Sequence, residues 1–197
     1  MIITISGALG SGKSTIAKEL SKRLGIEHFS TGDFMRQMAN ERKVTVIEIN
    51  RIAETDSSVD QELDERQKNF GATRDNFVID GRLSWFFIPH SIKVFLDVSD
   101  EEAAKRIFHA KRPDEHYNDS LQSTLENIRA RRDLEVYRYK KIYNVDYYDK
   151  KHYNIVIDTT HLTIPQVVDA VLRGVQHKLR LREHKQREKQ NPSKTIK

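Results

Sequence analysis

Near the N-terminus the chain reads Gly7-Ala8-Leu9-Gly10-Ser11-Gly12-Lys13-Ser14, followed by Thr15. The spacing is G-x-x-x-x-G-K-[ST], and the chemistry it can do is phosphate binding. Glycines let the backbone wrap tightly, so successive N–H groups point inward at phosphate oxygens. A helix starting at the loop adds its N-terminal partial positive charge. Lys13 brings a point charge to the β- and γ-phosphates, and the Ser14 hydroxyl is placed to ligate Mg²⁺. The whole run Gly7, Ala8, Leu9, Gly10, Ser11, Gly12, Lys13, Ser14 and Thr15 is therefore a candidate cradle for a nucleoside triphosphate. A chance glycine-rich turn would not need a strand before it and a helix after it, and this sequence has both.

Three other groups carry charge at useful spacing. In Ser30-Thr31-Gly32-Asp33-Phe34-Met35-Arg36, Ser30 or Thr31 can cap a helix. Arg36 lies about one turn inside that helix and can grip a phosphate bidentately. The plainer reading is a helix cap with a surface Arg. In Phe77-Val78-Ile79-Asp80-Gly81-Arg82, a buried strand ends in a carboxylate. Asp80 there would face Mg²⁺ and its waters, and Gly81 and Arg82 an acceptor phosphate. The plainer reading is a solvated strand-end turn. Along Ile128–Tyr139, Arg131 and Arg138 lie two turns apart on one helical face, with Glu135 between them to hold both guanidiniums. Two converging arginines could neutralise a moving phosphoryl group. The plainer reading is a solvated helix with ion pairs.

These residues need elements to place them. Met1–Ser6, Ile26–Ser30, Phe77–Asp80, Val94–Val98 and Ile155–Asp158 are short apolar runs that suit strands buried on both faces. Helical spacing marks Lys13–Leu24, ended by Gly25, and segments near 31–42, 45–70, 100–112, 118–143 and 163–185. Strands alternating with helices predict an α/β fold with a parallel sheet. The aromatic stretch Leu83–Ile88 is expected to pack beneath the acceptor site. The eight histidines show no metal-ligand spacing and are expected on the surface or in loops. The chain has no cysteine, which excludes disulfides, Cys-ligated metals and a Cys nucleophile. The net charge is +5, but 178–197 holds eight Lys/Arg and two Glu, leaving the body near neutral. That tail is expected to begin as a frayed helix extension and to end disordered. No apolar run approaches the roughly 20 residues of a membrane span. No signal peptide is evident, so a cytoplasmic setting and no membrane partner are expected.

Taken together, these motifs resemble the short, archaeal-type cytidylate kinases, a branch of the nucleoside monophosphate kinases. Further resembling segments are Val59–Gln67, Gly81–Trp85 and Arg138–Asp146, and the resemblance spans about 1–173. It implies a P-loop kinase fold with five parallel strands flanked by helices. It also implies an acceptor-binding region near 31–70 and a helical lid near 110–140. The kinase domain would be 1–177, with 178–197 a basic appendage. ATP and Mg²⁺ are implied, with CMP and dCMP as acceptors. On this reading Lys13, Arg131 and Arg138 are catalytic, Ser14 and Asp80 hold the metal, and Ser30, Thr31, Arg36, Gly81 and Arg82 bind the acceptor. Thr159 and Thr160 are placed for the adenine by position alone. A monomer with no nucleic-acid partner is expected. The longer bacterial cytidylate kinases have Asp where Leu83 stands, so their cytosine-reading residues do not transfer. Two alternatives stay open: a small-molecule kinase on the same fold, such as a shikimate kinase, and a nucleotide-dependent RNA-binding module using the basic tail.

Overall fold

The structure is a computed structural model that describes residues 1–110 and 120–190. Part of the expected lid, 111–119, and the end of the tail, 191–197, lie outside the described residues. Five parallel strands form one sheet in the order β2-β3-β1-β4-β5. They are β1 (Ile2–Gly7), β2 (Glu27–Ser30), β3 (Phe77–Asp80), β4 (Ile92–Asp97) and β5 (Ile155–Asp158). The central strand β1 is buried along its whole length, as its β-branched run requires.

Helices cover both faces. On one, α1 (Lys13–Leu24) and α8 (Ile164–Gln190) press Ile16, Leu20, Val167 and Val171 onto Ile3, Ile5, Val94 and Leu96. On the other, Phe34 of α2 (Thr31–Glu41) joins Ile2, Phe77, Ile79 and Ile88. The next helices are α3 (Val46–Thr55), α4 (Ser57–Thr73), the short α5 (Ser84–Phe87), α6 (Asp100–Ala110) and α7 (Leu121–Tyr143). Because all strands run the same way, their carboxyl ends gather Gly7, Ser30, Asp80, Asp97 and Asp158 along one edge of the sheet.

One difference from the sequence expectation has a local cause. The segment 45–70 is two helices, because the Asp56 side chain accepts from the Ser58 N–H at 2.8 Å and starts α4 afresh. The aromatic run packs, as expected: it folds as α5, whose Trp85 and Phe87 enter a core shared with Tyr147 and Tyr153. The tail begins as the helix extension expected: α8 continues to Gln190, and Arg182 donates to the carbonyls of His90 (3.2 Å) and Ser91 (3.3 Å).

Candidate active site

The loop after β1 has the backbone that phosphate binding asks for. A Cβ on Gly7 would lie 2.2 Å from the Leu96 carbonyl oxygen of β4, so only glycine lets the loop leave the sheet there. Gly12 opens α1 with no side-chain cap, leaving the first helical N–H groups directed to the loop. The Ser11 hydroxyl donates to the Ala8 carbonyl at 2.8 Å and braces the turn. Lys13 Nζ donates to the carbonyls of Gly7 (3.0 Å) and Ala8 (2.8 Å). Burial, helped by the positive charge of Arg82, lowers the Lys13 pKa to about 7.

Beside the loop, Asp80 ends β3 with its carboxylate buried. The Ser14 hydroxyl donates to Asp80 Oδ2 at 2.7 Å, and His28 Nε2 lies 2.6 Å from Oδ1. His28 thus departs from the expectation that the histidines are surface or loop residues: it lies in β2 with its side chain only 14% exposed. His152, in the turn before β5, stacks on Trp85 at 4.7 Å. No short-range spacing could signal either contact, because strand pairing brings 28 and 80 together across 52 residues.

Glu135 of α7 is the hub of a cationic cluster facing the loop. Its carboxylate accepts from Arg82 Nε, from Arg131 Nε at 3.1 Å and from the Tyr147 hydroxyl at 2.8 Å. Burial alone would raise the Glu135 pKa, but Arg82 and Arg131 outweigh it and hold the group ionised. The charges acting most on Lys13 are Arg82, Glu135, Asp80 and Arg131. The second guanidinium on Glu135 is therefore that of Arg82, where Arg138 was expected. Arg138 reaches instead across to α4 and pairs with Asp60. The Ser6 hydroxyl donates to the Arg82 carbonyl at 2.9 Å, tying this turn to β1.

On the acceptor side, Ser30 caps α2 through a reciprocal capping box with Asp33. Asp33 also pairs with Arg36, which is exposed. Thr31 packs so closely on Gly81 that a Cβ there would lie 2.3 Å from Thr31 Cγ2. The Ser84 hydroxyl donates to Gln67 Oε1 at 2.8 Å. One turn earlier on α4, Asp64 accepts from the Tyr143 hydroxyl at 2.5 Å. Burial pushes the Asp64 pKa up to about 6.

On the opposite side of the loop lies a cavity of about 370 Å³, lined by Gly12, Thr15, Arg106, Thr159, Leu162 and Ile164 among others. Arg106 spans it, donating to the Thr159 hydroxyl (3.1 Å) and carbonyl (2.7 Å). Thr159, which the sequence placed for the adenine by position alone, lines this cavity. Arg106 was not legible in the sequence, being one Arg in a charged helix.

Residues 2–161 match the family described as the Cytidylate kinase-like family. The cytidylate kinase of Natronomonas pharaonis is 37% identical over 176 residues, covering 88% of each chain. That of Methanothermobacter thermautotrophicus is 38% identical over 159 residues, covering 81% of this chain and 95% of its own. Among solved structures, a shikimate kinase from Bacteroides thetaiotaomicron shares the fold at TM-score 0.62 and 16% identity, covering 91% of this chain and 98% of its own. At that identity the likeness concerns the fold alone.

Proposed function

Since the chain belongs to the Cytidylate kinase-like family, we propose that it transfers the terminal phosphoryl group of ATP to CMP, and to dCMP, giving ADP and the diphosphate. The observation that carries this reading is the pairing of Arg82 and Arg131 on one carboxylate, Glu135, close enough to the phosphate loop to act on the charge of Lys13. Cations grouped in this way suit a site where two anionic phosphates must be brought together.

The loop Gly7–Thr15 holds the triphosphate, and the 370 Å³ cavity beside Arg106 and Thr159 takes the adenine. Ser30, Thr31, Arg36, Gly81 and Arg82 hold the acceptor monophosphate. An acceptor phosphate oxygen attacks the γ-phosphorus, and the bond to the β–γ bridging oxygen breaks as ADP leaves. The attacking oxygen is already anionic, so no general base is needed. Lys13 and Arg131 neutralise charge on the moving group. Glu135 keeps Arg82 and Arg131 together. Ser14 and Asp80 are the residues that would hold Mg²⁺. Their hydroxyl and carboxylate are the hard oxygen donors that ion takes, and they already meet at 2.7 Å. When bound, Mg²⁺ supplies charge neutralisation across the β- and γ-phosphates. The kinase unit spans 1–177, with its acceptor region at 31–70 and its lid at 110–140, and a basic appendage follows. Lid closure excludes water and suppresses ATP hydrolysis.

The test is ADP release from Mg-ATP with CMP, dCMP, UMP, AMP, GMP and shikimate offered in turn. Turnover led by CMP or dCMP supports the reading. Turnover led by another monophosphate keeps the mechanism and moves the base preference. Turnover with shikimate, or with no acceptor at all, overturns it.

A further inference from the structure

An acceptor seated with its phosphate at Arg82 needs something to read its base. The groups next along from Arg82 are given by contact. Gly81 abuts Thr31 and Ser84, Ser84 bonds Gln67 of α4, and Asp64 and Asp60 lie one and two turns before Gln67. Across from them α7 runs from Arg131 to Arg138, seven residues or about 10 Å of helix. Tyr139 lies between, its ring against Tyr147 (5.4 Å), which bonds Glu135, and against Tyr143 (6.2 Å), which bonds Asp64.

Among these groups the Asp60–Arg138 pair is open to a ligand. Gln67 is buried and bonded to Ser84. Asp64 is buried and bonded to Tyr143. The Asp60 and Arg138 side chains keep 21% and 40% of their surface exposed. Cytosine presents, along its pairing edge, one donor (the exocyclic amine) and two acceptors (the ring nitrogen and the carbonyl). A carboxylate beside a guanidinium is the complement of that pattern. Uracil offers a carbonyl where cytosine has its amine, so it would set oxygen against the carboxylate.

We propose that Asp60 and Arg138, paired across α4 and α7, read the pairing edge of the acceptor's cytosine, Asp60 accepting from the amine and Arg138 donating to the ring nitrogen and carbonyl. This rests on the CMP kinase reading above and makes Arg138 a specificity residue. Replacing Asp60 by Asn keeps the shape and swaps an acceptor for an amide that can also donate. The amide then meets the uracil carbonyl without repulsion.

The experiment compares kcat/KM for CMP and UMP in the wild-type protein and in Asp60→Asn. The expected result is a fall in the CMP-to-UMP ratio of about 10- to 100-fold, the size of a charge-assisted hydrogen bond. A ratio within about twofold of wild type, in a variant that melts normally and binds ATP normally, overturns the proposal and leaves the kinase reading standing. If the wild-type protein itself does not use CMP, it is the kinase reading that fails. Should Asp60→Asn not fold, Arg138→Gln serves instead. It is expected to raise KM for CMP with ATP affinity unchanged, and an unchanged KM overturns the proposal.

Discussion

His28 Nε2 and Asp80 Oδ1 lie 2.6 Å apart between paired strands, while the other oxygen of the same carboxylate takes the Ser14 hydroxyl. His28 therefore sets which way Asp80 faces. A residue that orients a metal-binding carboxylate tunes the site without touching substrate. Replacing His28 by Phe should raise the Mg²⁺ concentration for half-maximal rate by about 10- to 100-fold, with KM for CMP little changed. His28→Gln, which keeps a donor, should recover part of the loss. Initial rates titrated with Mg²⁺ decide it, and an unchanged midpoint removes the role.

Lys13 has a pKa lowered to about 7 by burial and by Arg82. A bound triphosphate stabilises the ammonium form and raises that pKa. ATP affinity should then be greatest below pH 7 and fall as pH rises above it, with proton uptake on binding in that range. Calorimetry in buffers of different ionisation enthalpy measures the uptake. Lys13→Met should abolish both the uptake and turnover while CMP still binds. Full activity in that variant would sink the phosphoryl-transfer assignment.

Glu135 keeps two guanidiniums in place, and its side chain is only 16% exposed. Glu135→Gln leaves Arg82 without its carboxylate, at a cost of about 2–4 kcal/mol. An anion seated between the arginines should replace the missing charge. Sulfate is therefore expected to raise the melting temperature of Glu135→Gln more than that of the wild type. Equal shifts in the two proteins would show that the arginines do not form an anion site.

Asp64 faces Asp60, Glu65 and Lys68 on its own helix and Tyr143 of α7, and burial raises its pKa from 3.8 to about 6. Between those values the folded protein binds more protons at this group than the unfolded chain does. The contribution to stability is thus full below about pH 3.8 and is lost as pH rises through 6. Asp64→Asn should flatten that part of the stability–pH curve. Urea unfolding at a series of pH values checks it, and curves of identical slope for the two proteins would contradict it.

What could be read from the sequence divides along a physical line. The phosphate loop was legible to the residue because its chemistry is contiguous: one strand, one turn and one helix supply every group. Asp80 and Arg82 were legible because they sit at the end of a recognisable buried strand. The partners of these groups were not. His28 meets Asp80 only through β2–β3 pairing, and Asp60 meets Arg138 only where α4 packs near α7. Helical spacing put Arg131, Glu135 and Arg138 on one face, but a helix face is wide. Side-chain reach decides that Glu135 takes Arg82 while Arg138 crosses to Asp60. The division of 45–70 into two helices hung on a single Asp56 cap, a signal embedded in a polar run.

The Ser6 hydroxyl and the Arg82 carbonyl, 2.9 Å apart, have a consequence for how the two nucleotides meet. Ser6 lies next to the first glycine of the phosphate loop, so in the proposed reaction one strand would anchor the grip on the donor and steady the turn that grips the acceptor. The gap between the two phosphates is thereby a built-in dimension of the sheet, like the fixed jaw spacing of a gauge. A change at Ser6, a residue that touches neither nucleotide, would detune the instrument at its reference point.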